Sequence, residues 1–504
     1  MAANPGSHPA PISHPEGWAQ QDTALKGSAL PGPGFSLGAL GEASTPGPGF
    51  PTDPDFPQLA IATDPAAMLK VFRTHLVPVP GRQVEIEACI PFRFRCRQST
   101  SRCVLQYTLR LVERVAGEER RWEQSVTGVV YARAGEAERL WRESLAGDPR
   151  REIPQPWLVF EPVGFIPELA MLVEVFPYDR KLRDLRLVMG GDGGSLTTAV
   201  EPHLFADGWE PERRVIEPVR YRTELGAALR YTVEARHRAK AQRATRCCYL
   251  KVYRDDRGEA TWRLLQRLSQ PAAGRQYDVV APLAYLGALR TLAIAQAPGT
   301  PLLHLLLGGH DPATTVRPVA RAVAAFNQQD AEAVGISRAH TRADQLADVR
   351  HAARLVSWAC PELRPVVGAV TAAVERGLPD VAAAPVHGDL KADHVFLERD
   401  GERVIFIDLD SVALGDPVRD PAHLWAYLTG GVGLDTVPAG RIRAAATAFV
   451  EEYFAHVPAA WRARFSLHCA GTLVEVASGI FRRQEPAWRD KVIAAVELAR
   501  RALL

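Results

Sequence analysis

The stretch VHGDLKADHVFLERDGERVIFIDLDS, residues 386–411, places His387, Asp389, Lys391, Asp393 and His394 before one apolar run and Asp408 and Asp410 after another. Carboxylates crowded together repel one another unless they are protonated or neutralised by a cation. Oxygen ligands beside an imidazole suit a hard or intermediate divalent ion, and magnesium typically binds through one or two carboxylates plus substrate phosphates. A lysine next to such an ion suits a phosphoryl group in transfer, whose equatorial oxygens carry spread negative charge. A further carboxylate in that place can orient a hydroxyl and accept its proton. The plainer alternative is a set of acids capping a surface hairpin. The chain holds only seven lysines, at 26, 70, 181, 240, 251, 391 and 491, so Lys251 and Lys391 stand out.

These residues need an element that brings them together. Asp400-Gly401 between Val395–Leu397 and Val404–Ile407 is a strong hairpin signal. Centring the turn there pairs positions whose numbers sum to about 801, with directly opposed Cβ atoms about 5 Å apart. His394 then lies opposite Ile407 and Asp393 opposite Asp408, so both polar ends meet at the open mouth of the hairpin. The loop 387–393 delivers Asp389 and Lys391 to the same place.

The rest of the chain divides by pattern. Residues 1–58 hold eleven prolines and nine glycines with few aliphatic residues, which reads as a disordered tail. From 59 to 310 the pattern is short strands with an occasional helix, and it repeats. CVLQYTLRL (103–111) resembles AALRYTVEA (227–235), and VVYARAGEAERLW (129–141) resembles KVYRDDRGEATWRLL (251–265). A third pair, 160–185 and 280–306, keeps nearly the same lag of roughly 120 residues. This predicts a duplicated α/β unit over 59–195 and 196–310. From 311 to 504 helical spacing takes over: Val316, Val319 and Val323 share a face, as do Leu346, Val349, Ala353 and Val356, and later Trp488, Val492, Ala495 and Ala499.

Composition limits the functional classes. The 60 basic and 58 acidic residues leave a net charge of +2, which argues against nucleic acid or a membrane surface as partner. No apolar run reaches the roughly 18 residues of a membrane span, and the N-terminus carries no secretory pattern. Seven cysteines without a CxxC pair fit a reduced, cytoplasmic protein without a structural zinc site.

HGDLKADHVF followed by VIFIDLD resembles the catalytic loop and metal-binding strand of the aminoglycoside phosphotransferase and choline kinase superfamily, and LGDPVRDPAHLWAY (414–427) resembles the segment that follows there. The resemblance, over roughly residues 196–504, implies a protein-kinase-like bilobal α+β fold with a β-rich N-lobe and a helical C-lobe. It implies ATP and Mg²⁺ as cofactors and a small-molecule hydroxyl as acceptor: a sugar, an aminoglycoside or an amino alcohol. Carried over, Asp389 is the catalytic base, Asp408 the principal metal ligand, and Asp416 and Asp420 brace the C-lobe, with Asp420 capping helix 421–428. Lys391 falls where related kinases contact phosphate. Lys251 falls at the N-lobe lysine and Glu259 at its helix partner; Gly226 stands in a sparse glycine loop, and Gln296 and Ala297 at the hinge beside adenine. His394 departs from the family's asparagine, which opens a preference for Mn²⁺ or a loss of activity. In the first repeat Val129 replaces Lys251, so that unit lacks the nucleotide chemistry. The competing reading is a pseudokinase, a nucleotide-binding or interaction module.

Overall fold

The computed structural model describes residues 50–96, 101–115, 118–191, 194–270, 275–398, 401 and 403–504. The strands are β1 (Val84–Arg95), β2 (Arg102–Val115), β3 (Glu118–Tyr131), β4 (Val163–Ile166), β5 (Met171–Val175), β6 (Trp209–Arg222), β7 (Gly226–His237), β8 (Arg243–Tyr253), β9 (Asp278–Val279), β10 (Pro282–Leu286), β11 (Thr291–Ala295), β12 (Thr300–Pro301), β13 (Ala384–Val386), β14 (Val395–Leu397), β15 (Val404–Phe406) and β16 (Ala413–Gly415). Alternating apolar and polar residues make the long strands two-faced, so each sheet needs a partner on its apolar face.

β1–β5 form one antiparallel five-stranded sheet in the order 1-2-3-5-4, and the second sheet runs 6-7-8-11-10. The two orders are the same path traced twice. In each, a helix follows the third strand (Glu136–Leu145, then Arg257–Leu268), and a short 3-10 turn joins the last two strands. Even the residue closing that turn repeats: Ala170 and Arg290 both have φ of +44°. Val129 pairs with Leu172 in the first sheet, and Lys251 pairs with Leu292 in the second.

The sheets stack. Val104, Val129 and Leu172 of the first pack against Leu229, Tyr231 and Leu250 of the second in one core. The opposite face of the first sheet, with Leu105, Tyr107 and Leu109, is covered by Leu59, Met68 and Phe72 from the helices ahead of it. The other face of the second sheet joins Leu265, Leu268 and the helical half.

That half is built on helices Pro312–Asn327, Arg342–Ala359, Arg364–Gly377, Arg419–Thr429, Ala439–Ala455, Phe465–Arg483 and Trp488–Arg501. The apolar faces at Val316/Val319/Val323 and Val349/Val356 are buried, as are Val492, Ala495 and Ala499. A four-stranded sheet, β12-β14-β15-β9, and the β13–β16 ribbon interrupt the helices. Among the described residues no helix is long and apolar enough to cross a membrane.

The tail boundary at 58 is corrected. Phe56 is fully buried, and the Phe50 ring sits 5.3–5.6 Å from Phe94, Trp358 and Phe481. Two aromatic rings supply the apolar surface that the average composition of the segment hides. Residues 1–49 lie outside those described.

Candidate active site

β14 and β15 pair as anticipated, with Val395 opposite Phe406, Phe396 opposite Ile405 and Leu397 opposite Val404. Ile407 donates its amide to the His394 carbonyl at 3.0 Å, extending the ladder by one rung. Asp400, half of the expected turn, lies outside the described residues; Gly401 has φ of +70°. Beyond the ladder the chain leaves strand geometry. Ala392–His394 is a 3-10 turn, and Asp408 adopts φ of +59° before a second such turn at Leu409–Ser411. Gly388, at φ of +77°, brings the loop against Ser411, where a Cβ would stand 2.5 Å from the Ser411 carbonyl oxygen.

The mouth of the hairpin holds one ligand atom each from Asp389, His394 and Asp408, all within 4.8 Å of one another. His394 Nδ1 bonds the Asp389 carbonyl at 2.8 Å, so Nδ1 carries the hydrogen. Burial, reinforced by Lys391, lowers the pKa of His394 and keeps the ring neutral. Nε2 therefore presents a lone pair toward Asp408 Oδ2, 3.4 Å away. Two acceptors facing each other need a cation or a proton between them, and an imidazole anchored through its other nitrogen to a carbonyl is the usual state of a metal-binding histidine. The donor set fits a divalent ion.

Burial alone would raise the Asp408 pKa, but Lys251 outweighs it and holds the carboxyl well below its usual range. Asp389 meets the same contest, and Lys391 holds its carboxyl below the usual range against burial. Lys391 Nζ sits 2.9 Å from Asp389 Oδ2 and 5.5 Å from the centre of the Tyr427 ring. Lys251 projects from β8 away from the first sheet and bonds both Asp408 Oδ1 and Asp410 Oδ2 at 2.6 Å. Burial opposes its charge, and the two aspartates more than restore it.

Several expected contacts are corrected. Glu259 does not reach Lys251; it lies in the first turn of helix Arg257–Leu268, half-exposed, and pairs with Arg263 at 2.6 Å. Asp410 takes the place intended for it, with Tyr253 donating its hydroxyl to Asp410 Oδ1 at 2.8 Å. Gly226 closes the turn between β6 and β7, paired with Arg222 and Tyr253. The preceding turn, Thr223–Leu225, is pinned by the first unit. Arg95 and Arg102 bond the buried Glu224 carboxylate, and Asp179 Oδ2 accepts from the Glu224 amide at 2.7 Å. Gln296 and Ala297 follow β11 in the segment leading to the helical half; Gln296 is exposed and accepts from Cys247 Sγ at 3.0 Å, and Ala297 packs on the adjoining core. Asp420 does not cap its helix. Its carboxylate accepts the His387 and Gly388 amides (2.7 and 2.9 Å) and Asn327 Nδ2 (2.8 Å), tying the 387–393 loop to the helical core.

Two further residues, Asp410 and His423, shape the site, and Asp416 braces the lobe below it. The Asp-x-Asp spacing of 408–410 is the sequence signal for Asp410. His423 donates through Nδ1 to the Leu390 carbonyl and turns Nε2 toward Asp389 at 3.8 Å; burial brings its pKa down to about 4. Asp416 accepts from Arg464 and His468. Nothing local in the sequence distinguishes His423 from any helical histidine.

A β-rich lobe whose third strand sends a lysine to an aspartate pair, and a helical lobe carrying H-x-D and I-D on a hairpin, define a protein-kinase-like bilobal protein. Residues 242–463 match the model of the phosphotransferase enzyme family. Solved structures similar to this chain include a choline/ethanolamine kinase family protein from Mesorhizobium loti (13% identity, 54% of this chain and 84% of that one, TM-score 0.36). An ethanolamine kinase from Plasmodium vivax is 8% identical, with 65% and 93% covered and a TM-score of 0.40. A macrolide 2'-phosphotransferase from Brachybacterium faecium is 21% identical, with 61% and 96% covered and a TM-score of 0.36. Comparison with curated proteins finds no match.

Proposed function

We propose that this chain is an ATP-dependent phosphotransferase that moves the γ-phosphoryl group to a hydroxyl of a small molecule. One observation carries the reading: Asp389, His394 and Asp408 converge on a single point that Lys251 reaches from the other lobe. Asp389, ionised and open on one side, orients the acceptor hydroxyl and takes its proton. The acceptor oxygen forms the new P–O bond as the β–γ bridging bond breaks, and ADP leaves. Lys251 turns from the aspartates to the nucleotide phosphates, and Lys391 neutralises charge beside the base. Asp408 and His394 would hold a divalent cation, Mg²⁺ or Mn²⁺, which when bound neutralises phosphate oxygens.

A second reading has an observation of its own. The Thr223–Leu225 turn, where a kinase-like lobe covers phosphate, is buried under the first unit by Arg95, Arg102 and Asp179. A pseudokinase that binds nucleotide weakly or not at all fits that arrangement.

ADP release with a panel of alcohols, measured for the native chain and Asp389→Asn, tests the first reading. Acceptor-dependent ADP release that falls in the variant supports it. Turnover that survives the substitution removes Asp389 as base, and no nucleotide effect on melting temperature leaves the pseudokinase.

A further inference from the structure

One face of the first sheet carries side chains that packing does not explain. Gln106, Thr108, Ser125 and Thr127 lie on the same face as Val104 and Val129, and all four are buried. Gln106 Nε2 bonds Ser125 Oγ and the Tyr221 carbonyl, each at 3.2 Å, and Thr127 meets Thr223 at 2.7 Å. Burying polar groups costs more than burying apolar ones of the same size unless each finds a partner. Gln106 Oε1 has none among the described residues.

These groups open onto a cleft between the two sheets. Gln106, Thr108 and Ser125 form one wall, and Arg93, Arg220 and Arg222 supply the charge; no carboxylate lines it. Helix Phe465–Arg483 packs against β1 and brings two more arginines near. Arg483 is held by Glu485 and Arg482 by the Ser478 hydroxyl. Arg93, Arg220 and Arg222 have neither ion pair nor hydrogen bond to another described side chain, and Arg93 Nε is sealed from solvent without a partner. Burial, followed by Arg222, Arg220, Arg483 and Arg482, drives the Arg93 guanidinium down to about 8. Like charges gathered without a counter-ion are unfavourable, and a bound anion relieves them.

The cleft adjoins the reaction centre. Arg222 lies within electrostatic reach of Asp389 and Asp408, and Arg220 of Asp408. Arg220 and Lys251 stand in register on either side of Ala228, so they share a face of the second sheet. We propose that Arg93, Arg220 and Arg222, with Arg482 beside them, form a subsite for a phosphate group carried by the acceptor. The substrate is then an alcohol that is already a phosphate ester, not a cation. This inference rests on the phosphotransferase reading. The free hydroxyl of the ester attacks the γ-phosphorus, ADP departs, and the proton goes to Asp389, while the ester's own phosphate stays intact on the arginines.

The test uses the full chain. Inorganic phosphate is titrated by calorimetry and thermal shift, and alcohols are assayed for turnover beside their own phosphate monoesters. Phosphate is expected to stabilise the native protein, with affinity about tenfold lower in Arg93→Gln and in Arg222→Gln, as the loss of a charge-assisted bond predicts. ATP·Mg²⁺ stabilisation persists in both variants. The ester is the better acceptor of each pair, and Arg222→Gln raises its KM but not that of the parent alcohol. No stabilisation by phosphate, or equal stabilisation in the variants, overturns the subsite. A matching loss of ATP affinity in the variants assigns the arginines to the nucleotide and overturns the acceptor assignment. Arg222 is exposed, so its variant reads out even if Arg93→Gln fails to fold. Failure of the phosphotransferase reading shows separately, as ATP·Mg²⁺ stabilisation that is absent or unchanged in Lys251→Ala.

Discussion

The two β-rich units differ most at one matching position. Both use the same strand order, the same helix after the third strand and the same left-handed residue before the fifth. In both, the third strand turns one face toward whatever follows it in the chain. In the first unit that face meets the second sheet, and Val129 is fully buried in the shared core. In the second it meets the helical half, and Lys251 finds Asp408 and Asp410. One scaffold therefore makes an apolar joint or a charged one according to the partner it meets. The first unit works as a brace, clamping the Glu224 turn and walling the arginine cleft.

The contrast can be broken at either position, and the largest effect belongs to the charged one. Asp389→Asn should lower turnover by about 10²–10⁴-fold, the usual worth of a positioned base, with little change in melting temperature. Lys251→Ala should lower turnover by about 10²–10³-fold and abolish stabilisation by ATP·Mg²⁺, because it strips phosphate of its preorganised charge. Val129→Lys, which copies the second unit into the first, should instead cost about 3–5 kcal/mol of unfolding free energy in denaturant melts. No carboxylate pair waits in that core to receive the charge.

Smaller effects sharpen the comparison. Burial would raise the Asp416 pKa, but His468 and Arg464 overcome it and hold the carboxylate well below its usual range. Its folded value lies below the unfolded one, so its contribution is in place above roughly pH 4 and drains away as pH falls through the lowered value. Asp416→Asn should therefore flatten the acid limb of a stability–pH curve and lower stability at neutral pH. Glu259→Ala should change stability by at most about 0.5 kcal/mol and leave nucleotide binding alone, since its partner Arg263 is a solvent-exposed neighbour one turn away. Loss of ATP binding in that variant would restore the glutamate partner that the geometry denies.

Legibility followed the range of the interaction. The hairpin register was readable because an Asp-Gly turn between two apolar runs fixes pairing locally, and Val395–Phe406 obeys it. The two sheets share a strand order, and strand and helix patterns recur in the sequence at one lag. Glu259 was misread because a first-turn helix acid looks alike whether it meets a lysine across the lobe or an arginine along its own helix. The clamp on the turn before Gly226 could not be read, because Arg95 and Arg102, which hold Glu224, lie more than 120 residues earlier.

By itself the sequence determined the fold class, and it singled out the acids, the lysines and the odd valine on which the proposed chemistry turns. Local propensity and side-chain chemistry are carried residue by residue. Only the tertiary structure decided that Asp410 rather than Glu259 holds Lys251, that His394 turns a lone pair to Asp408, and that Arg93 of one sheet and Arg220 and Arg222 of the other line one cleft. Those outcomes depend on which surfaces meet, and surfaces meet through the packing of whole sheets and helices.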